Sequence, residues 1–276
     1  MRSRTAICLS DEGRHRTAGV RILPVVNSVS RSPTHAVLRG VVSSFWLSHR
    51  VGRETADVVL PNGRAQLVVD LDAGTALLVG PRTTSAQVQI PRTTAGLALT
   101  AMGLHGIADV PAHELVDEVV EVEELWGDSR WLRHLEHARS ADELLSRLER
   151  ETVRHLRIRA PDPRLVAAER AIRTGIEPGS IATAVGADRR WLVPEFRHVV
   201  GVAPKHYQRI VRFQAALRAL RVADPAPLAS ITVSVGYADQ AHMCREFTSM
   251  AGVVPSQLHG VSSASPNHVI PQVAET

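Results

Sequence analysis

The chain has 276 residues, of which 44% are hydrophobic and 22% charged, which are ordinary values for a folded protein with room for two domains. No run approaches the roughly 18 apolar residues of a spanning helix, and no apolar segment follows the basic N-terminus as in a secretory signal, so we expect a cytoplasmic protein without a membrane partner. The formal charge of +4 is concentrated in residues 160–260, with 12 Lys and Arg against 8 Asp and Glu, which favours a polyanionic partner there.

The first part of the chain is predicted to be an arm followed by a β-rich domain. Residues 1–32 have no clear period and are read as a flexible arm. Residues 33–127 alternate turn residues with short β-rich runs, at residues 41–47, 56–60, 65–71, 76–79, 87–90 and 97–102. Asn62-Gly63 between two of these runs favours a tight hairpin turn, because both residues tolerate positive φ angles.

The remainder is predicted to be helical. A helical connector occupies residues 128–160 and includes a capping box at residues 140–143. Helices of about 8 to 18 residues then fill residues 161–260, and the Ser/Pro-rich residues 261–276 are read as a disordered tail. The sequence therefore predicts an α+β protein with an N-terminal β-rich domain, a helical connector and an all-α C-terminal domain.

The C-terminal domain contains an internal repeat. Residues 181–186 and 231–236 share one pattern that ends in glycine, and each is followed by a phenylalanine, a Gly-Val pair and a proline at matching distances. The offset between the copies is 50 residues before the glycine and 51 after it. One supersecondary unit has therefore been used twice.

Each copy has the pattern of a helix-turn-helix unit. A small residue early in the first helix lets a second helix cross closely, and the glycine makes the turn. Asp188 and Asp239 can cap the second helices, while Phe196 and Phe247 anchor them and leave the other face free for a major groove of double-stranded DNA. Residues 205–222 fit one long helix that is apolar on more than one face and is predicted to be a buried spacer. The two units would read major-groove segments roughly 10 base pairs apart.

This layout resembles the C-terminal domain of the AraC/XylS regulators. The matching positions are Ile181, Ala182, Gly186, Leu192, Phe196, Gly201, Pro204, Tyr207, Arg212-Phe213-Gln214, Ala216-Leu217, Gly236-Tyr237-Ala238-Asp239-Gln240, His242, Arg245-Glu246-Phe247, Gly252 and Pro255. Upstream, Leu60-Pro61-Asn62-Gly63, Gly80-Pro81-Arg82-Thr83 and residues 110–115 are similar to a sensor-like domain of some actinobacterial members. The resemblance implies a sequence-specific transcription regulator, modulated through its N-terminal domain by a small-molecule effector or a second subunit. RNA polymerase is a further candidate partner, and the chain could act as a monomer or a homodimer.

One position departs from that family. Where an arginine is usual in the first recognition helix, two residues before the phenylalanine, this chain has Pro194. An interior proline removes a helix hydrogen bond and costs about 3 kcal/mol. We therefore expect the first recognition helix to be interrupted and the second unit to dominate specificity.

The candidate DNA-binding residues follow from the faces of the two recognition helices. In the first unit they are Arg189, Arg190, Val193 and Arg197, and in the second Gln240, Ala241, His242, Cys244 and Arg245. Arginine can contact guanine or phosphate and glutamine suits adenine, so Gln240 and Arg245 are expected to supply most base contacts. For His242, capping or packing is favoured over a contact with DNA.

No catalytic residue, cofactor or metal is expected. His49, His105 and His113 lack metal-ligand spacing, and two cysteines, Cys8 and Cys244, cannot form a disulfide framework. They are also too few for the zinc site and acceptor of an alkylation-repair enzyme that carries this type of DNA-binding domain. The alternative to a sequence-specific regulator is a degenerate member with weak DNA binding that acts through protein contacts.

Overall fold

A computed structural model describes residues 27–50, 56–157, 160–177, 179–222, 226–258 and 269–271. Their fold is α+β, as the sequence predicted. The N-terminal part holds strands and short helices, and the C-terminal part is helical. The strands are β1 (Asn27–Arg31), β2 (Val42–His49), β3 (Ala56–Val59), β4 (Gln66–Asp70), β5 (Thr75–Val79), β6 (Ala86–Gln89), β7 (Thr93–Leu99), β8 (Val119–Glu121) and β9 (Val269–Pro271).

Six strands form an antiparallel sheet in the order β1-β2-β7-β4-β5-β8. Alternate residues of the central strands, among them Phe45, Leu67 and Leu97, point to one face and are fully buried. That face packs against helices downstream of the sheet and forms the core of the β domain. Trp46 lies on the opposite face, where its ring covers Gly96 of the neighbouring strand.

The hairpin prediction at Asn62-Gly63 is wrong. The two strands that flank this dipeptide do not pair with each other: β3 belongs to a second sheet of order β6-β3-β9, whereas β4 pairs with β5 and β7. The local pattern identified a turn with positive φ, which Gly63 has at 63°, but strand pairing is decided by non-local contacts. The turn instead carries the chain from one sheet to the other.

Four helices follow or interrupt the sheet. They are α1 (Leu104–Ile107), α2 (Val122–Trp126), α3 (Leu132–Glu136) and α4 (Ala141–His155). The predicted N-cap at the start of α4 is confirmed, since the hydroxyl of Ser140 accepts a hydrogen bond of 3.2 Å from the Glu143 amide. The second bond of a capping box differs, because the Glu143 carboxylate accepts a hydrogen bond of 2.9 Å from the Arg139 amide. The amphipathic α4 buries Leu144, Leu145 and Leu148 against the sheet core.

Six helices form the C-terminal part: α5 (Pro163–Arg173), α6 (Ile181–Ala184), α7 (Arg189–Val200), α8 (Pro204–Leu220), α9 (Leu228–Ser234) and α10 (Gln240–Ala251). They surround two separate hydrophobic cores. One core joins α5, α6 and α7 around Phe196, and the other joins α8, α9 and α10 around Phe247. The long helix α8 contributes Tyr207 to the first core and Phe213 to the second, so it is the buried spacer that the sequence predicted.

Most of the predicted arm (1–32) and tail (261–276) lies outside the described residues, as does Cys8. Strands β1 and β9 fall within these two ranges, where the sequence predicted no strand. β1 pairs with β2 and β9 pairs with β3, so each is formed by hydrogen bonds to a distant strand edge that a local pattern does not reveal. Among the described helices, none has the length and apolar character needed to cross a membrane.

Candidate nucleic-acid interface

The two predicted recognition helices have the same local construction. Both α7 and α10 contain 12 residues. Asp188 accepts a hydrogen bond of 2.5 Å from the Arg190 amide, and Asp239 accepts one of 2.6 Å from the His242 amide. These side-chain caps satisfy amides that have no partner within a helix, and so they fix where each helix begins. The preceding turns contain Gly186 and Gly236 with φ of 63° and 83°.

The inward faces of the two helices also correspond. Phe196 and Phe247 are fully buried, and each contacts an aromatic residue of α8, with ring centroids 5.7 Å apart for Phe196–Tyr207 and 4.6 Å for Phe213–Phe247. Burying a large apolar side chain stabilises a fold by about 1.5 to 3 kcal/mol. These contacts hold each helix against α8 and leave its other face outward.

The predicted contact residues lie mainly on those outward faces. Arg189, Arg190, Arg197, Gln240, Ala241 and Arg245 are exposed, whereas Val193, His242 and Cys244 are half-buried. In the first unit, Asp188, Arg189, Arg190, Val193 and Pro194 line one open surface concavity. The His242 ring packs edge-on against Tyr237 at 5.4 Å, and its Nε2 lies 3.4 Å from Glu246 Oε2. These contacts agree with the packing role that the sequence favoured for His242.

The expected interruption at Pro194 does not occur. Helix α7 runs through this residue without a break, and Pro194 lies at the same position of its helix as Arg245 does in α10. The ring is exposed, so the missing N–H removes one hydrogen bond without disturbing the core. Burial of Leu192, Phe196, Val199 and Val200 on the inner face outweighs that loss.

A cluster around Glu246 positions the second recognition helix, and sequence reasoning missed it. The carboxylate of Glu246 is 4% exposed in its side chain and lies 2.7 Å from Arg212 Nη2 and 3.5 Å from Arg209 Nε, both on α8. Arg212 also lies over the Tyr237 ring at 4.5 Å. Burial raises the pKa of Tyr237. The signal was present in the sequence as Arg212 and Glu246, but only the fold brings them together.

Three residues of the β domain contact the helical part rather than solvent. Leu60 is fully buried in the core around Phe247. The Pro61 carbonyl accepts a hydrogen bond of 2.6 Å from Gln214 Nε2, and the Ser85 amide donates one of 2.8 Å to the Met250 carbonyl. The sequence assigns the motifs that contain Leu60 and Pro81 to a sensor-like domain. It did not predict that these motifs form the contact between that domain and the recognition helices.

Two of the histidines that lack metal-ligand spacing in the sequence, His105 and His113, lie near a third histidine, on α7. The ring of His198 on α7 lies 6.1 Å from that of His105 and 6.4 Å from that of His113. Even so, across the described part of the chain no group of three or more His, Cys, Asp or Glu residues is arranged to hold a metal ion.

Two family models match the chain. A helix-turn-helix domain matches residues 181–259, and a domain of unknown function (DUF6597) matches residues 30–121. Among curated proteins, none matches the chain in sequence.

Similar solved structures include ToxT of Vibrio cholerae. ToxT from strain O395 is 12% identical, with a TM-score of 0.45 over 80% of this chain and 99% of that one. An apo variant of ToxT from strain SCE256 is 14% identical, with a TM-score of 0.40 over 76% and 90%. Wild-type ToxT of that strain with a bound unsaturated fatty acid is 13% identical, with a TM-score of 0.38 over 86% and 96%.

The helix-turn-helix match and the exposed basic residues of α7 and α10 define the class of this protein, a DNA-binding transcription regulator. The motif residues shared by both repeats lie where that class requires them, at the helix caps, the turns and the buried anchors. The helix-turn-helix match over residues 181–259 agrees with the resemblance to the AraC/XylS regulators that the motif residues carry.

Proposed function

We propose that the protein recognises a specific DNA sequence by placing α7 and α10 in two successive major-groove segments. The proposal rests mainly on the correspondence between the two helices, which share length, cap, buried phenylalanine and outward face. Helix α8 contributes to both cores and so ties the two units together. Two helices held in this way would meet DNA about one helical turn apart, roughly 10 base pairs.

The two units are proposed to contribute differently. The outward face of α10 presents Gln240 and Arg245, whose side chains suit adenine and guanine edges. The outward face of α7 presents three arginines, and Pro194 replaces the residue that corresponds to Arg245. Arginines without a matched base neutralise phosphates, which raises affinity for any duplex. The second unit would therefore supply most of the specificity and the first most of the sequence-independent affinity.

The test is selection of a duplex from a random pool with the full chain, followed by mobility shifts over a salt series. We expect Gln240→Ala or Arg245→Ala to weaken the selected duplex by about 1 to 3 kcal/mol relative to a scrambled one. Arg190→Ala should weaken both duplexes alike and reduce the salt slope by about 1. Arg150→Ala, an exposed arginine on α4, is the control and should change neither. Equal binding of selected and scrambled duplexes would refute the proposal and favour a regulator that acts through protein contacts.

The β domain is proposed to modulate DNA binding through a small molecule. The sheet face that carries Trp46 also carries Gln66 and Thr94, all three buried, and no group of the described residues forms a hydrogen bond with the Trp46 indole N–H. A buried aromatic ring with a few polar groups is typical of ligand sites. Compounds that raise the Tm of the full chain should change its affinity for the selected duplex, and Trp46→Phe should abolish both effects. A compound that acts equally on Trp46→Phe would place the effector elsewhere.

A further inference from the structure

The β domain contacts the carboxyl ends of both proposed recognition helices through one short segment, residues 80–85, here called the bridge loop. Pro81 packs at the end of α7, since its Cγ lies 3.2 Å from the position that a Cβ on Gly201 would occupy. Four residues further on, the Ser85 amide donates to the carbonyl of Met250, near the end of α10. The two helices therefore share a connection that does not pass through α8.

The bridge loop is built to be rigid. The Arg82 guanidinium is buried and donates a hydrogen bond of 3.0 Å to the Asp117 carbonyl. The Asp117 carboxylate accepts a hydrogen bond of 2.9 Å from the Thr83 amide and a second from the Thr83 hydroxyl. At Gly80, a Cβ would lie 1.6 Å from the Leu115 carbonyl oxygen, so the loop is packed directly against the neighbouring segment. A loop held at these points keeps a fixed distance between the helix ends that it contacts.

The β domain also enters both hydrophobic cores. Leu60 is part of the core around Phe247, while Ala101 and Met102 are part of the core around Phe196. If α8 were the only link, each unit could still twist or bend relative to the other about that helix. A second, rigid link removes this freedom.

We propose that the bridge loop sets the separation and relative rotation of the two recognition helices, and so determines which spacing between two DNA segments the protein accepts. Residues of the bridge loop act as positioning residues and need not touch DNA. This inference rests on the proposed reading of two DNA segments. It assigns to part of the domain of unknown function a role in specificity.

The two helix ends offer a matched pair of substitutions. Gly201 and Gly252 both end a recognition helix with positive φ, 98° and 71°, so replacement by alanine strains the backbone at both. The surroundings differ. A Cβ on Gly201 would lie 2.9 Å from Val116 Cγ2 and 3.2 Å from the Ala112 carbonyl oxygen, whereas a Cβ on Gly252 has nothing within 4 Å. Only Gly201→Ala pushes the β domain away from the helix.

The experiment measures the affinity of the full chain for the selected duplex and for versions with one to five base pairs inserted between the two segments. We expect the wild-type protein and Gly252→Ala to lose affinity steeply with insertion. Gly201→Ala should reduce the affinity ratio between the selected duplex and the two-base-pair insertion at least fivefold. Adding Val116→Ala removes the methyl group that collides and should restore most of the wild-type ratio.

The outcomes separate the two proposals. If the wild-type affinity falls steeply with insertion and Gly201→Ala leaves that dependence unchanged, only the proposed role of the bridge loop is overturned. A relaxed Gly201→Ala profile that Val116→Ala does not restore also overturns it, because the effect then arises within α7. A wild-type profile that is indifferent to insertion overturns the two-segment reading, and the bridge with it.

Discussion

Pro194 allows the contribution of the first recognition helix to be measured, because an arginine occupies the equivalent position of the second. In Pro194→Ala the residue regains an N–H for the Arg190 carbonyl, which removes a cost of about 3 kcal/mol for an interior proline. The proline also restricts the unfolded chain, and losing this restriction offsets about 0.4 to 1 kcal/mol of the gain in stability. Since Pro194 is exposed, no packing is lost. We expect the free energy of unfolding to rise by about 2 kcal/mol, or roughly 4 to 8 °C in Tm.

Pro194→Arg adds a guanidinium to the same repaired helix, so its comparison with Pro194→Ala isolates the charge. The outward face of α7 is proposed to meet DNA. If the new arginine contacts a base, the arginine variant should bind the selected duplex more tightly than the alanine variant by about 1 to 3 kcal/mol. If it contacts only phosphate, both selected and scrambled duplexes should gain, with a salt slope steeper by about 1. Mobility shifts at several salt concentrations give both quantities. Equal affinities and equal slopes for the two variants would refute the placement of residue 194 at DNA.

Three further predictions concern stability. Gln214→Leu keeps the side-chain volume but leaves the buried Pro61 carbonyl unpaired, so urea unfolding at neutral pH should show a loss of about 1 to 3 kcal/mol; an unchanged midpoint would mean that water replaces the amide. Glu246→Ala leaves two arginines without their shared carboxylate and should lower the free energy of unfolding by roughly 3 kcal/mol. The control Glu195→Ala, at the equivalent position of α7, should lower it by less than about 1 kcal/mol. Similar losses in the two variants would contradict a special role for Glu246. Glu149→Gln should lower the free energy of unfolding by about 1 to 3 kcal/mol at pH 7. Urea unfolding at a series of pH values should show that the variant and the wild type become equally stable in acid.

The sign of the Glu149 prediction follows from its surroundings. Burial by itself raises the pKa of this carboxyl, but hydrogen bonds from the His35 amide and from the hydroxyl and amide of Thr34 lower it by more, so its net pKa is below the ordinary value. A carboxyl with a depressed pKa stabilises the fold above its unfolded pKa of about 4.3 and loses that contribution as the pH falls through the folded value. A difference that persists at pH 2 would contradict this cause.

Local patterns in the sequence determined the elements of this protein and the repeat within it. Six strands, the capped start of α4, the spacer helix and both recognition helices follow from periods, caps and turn residues that act over a few neighbours. The outward arginines and Gln240 could be placed for the same reason, since a buried phenylalanine fixes which face of a helix remains free. Pro194 shows the limit of such rules, because buried neighbours kept its helix intact.

Only the tertiary structure decided which distant residues meet. β3 pairs with β6 and β9 rather than with β4, and Glu246 receives its arginines from another helix. The motifs around Leu60 and Pro81 gave no local sign that they would contact the recognition helices. Contacts between residues far apart in sequence depend on how whole elements pack, and packing leaves no period in the chain. The sequence therefore determined the two DNA-facing units, and the fold determined how they are held together.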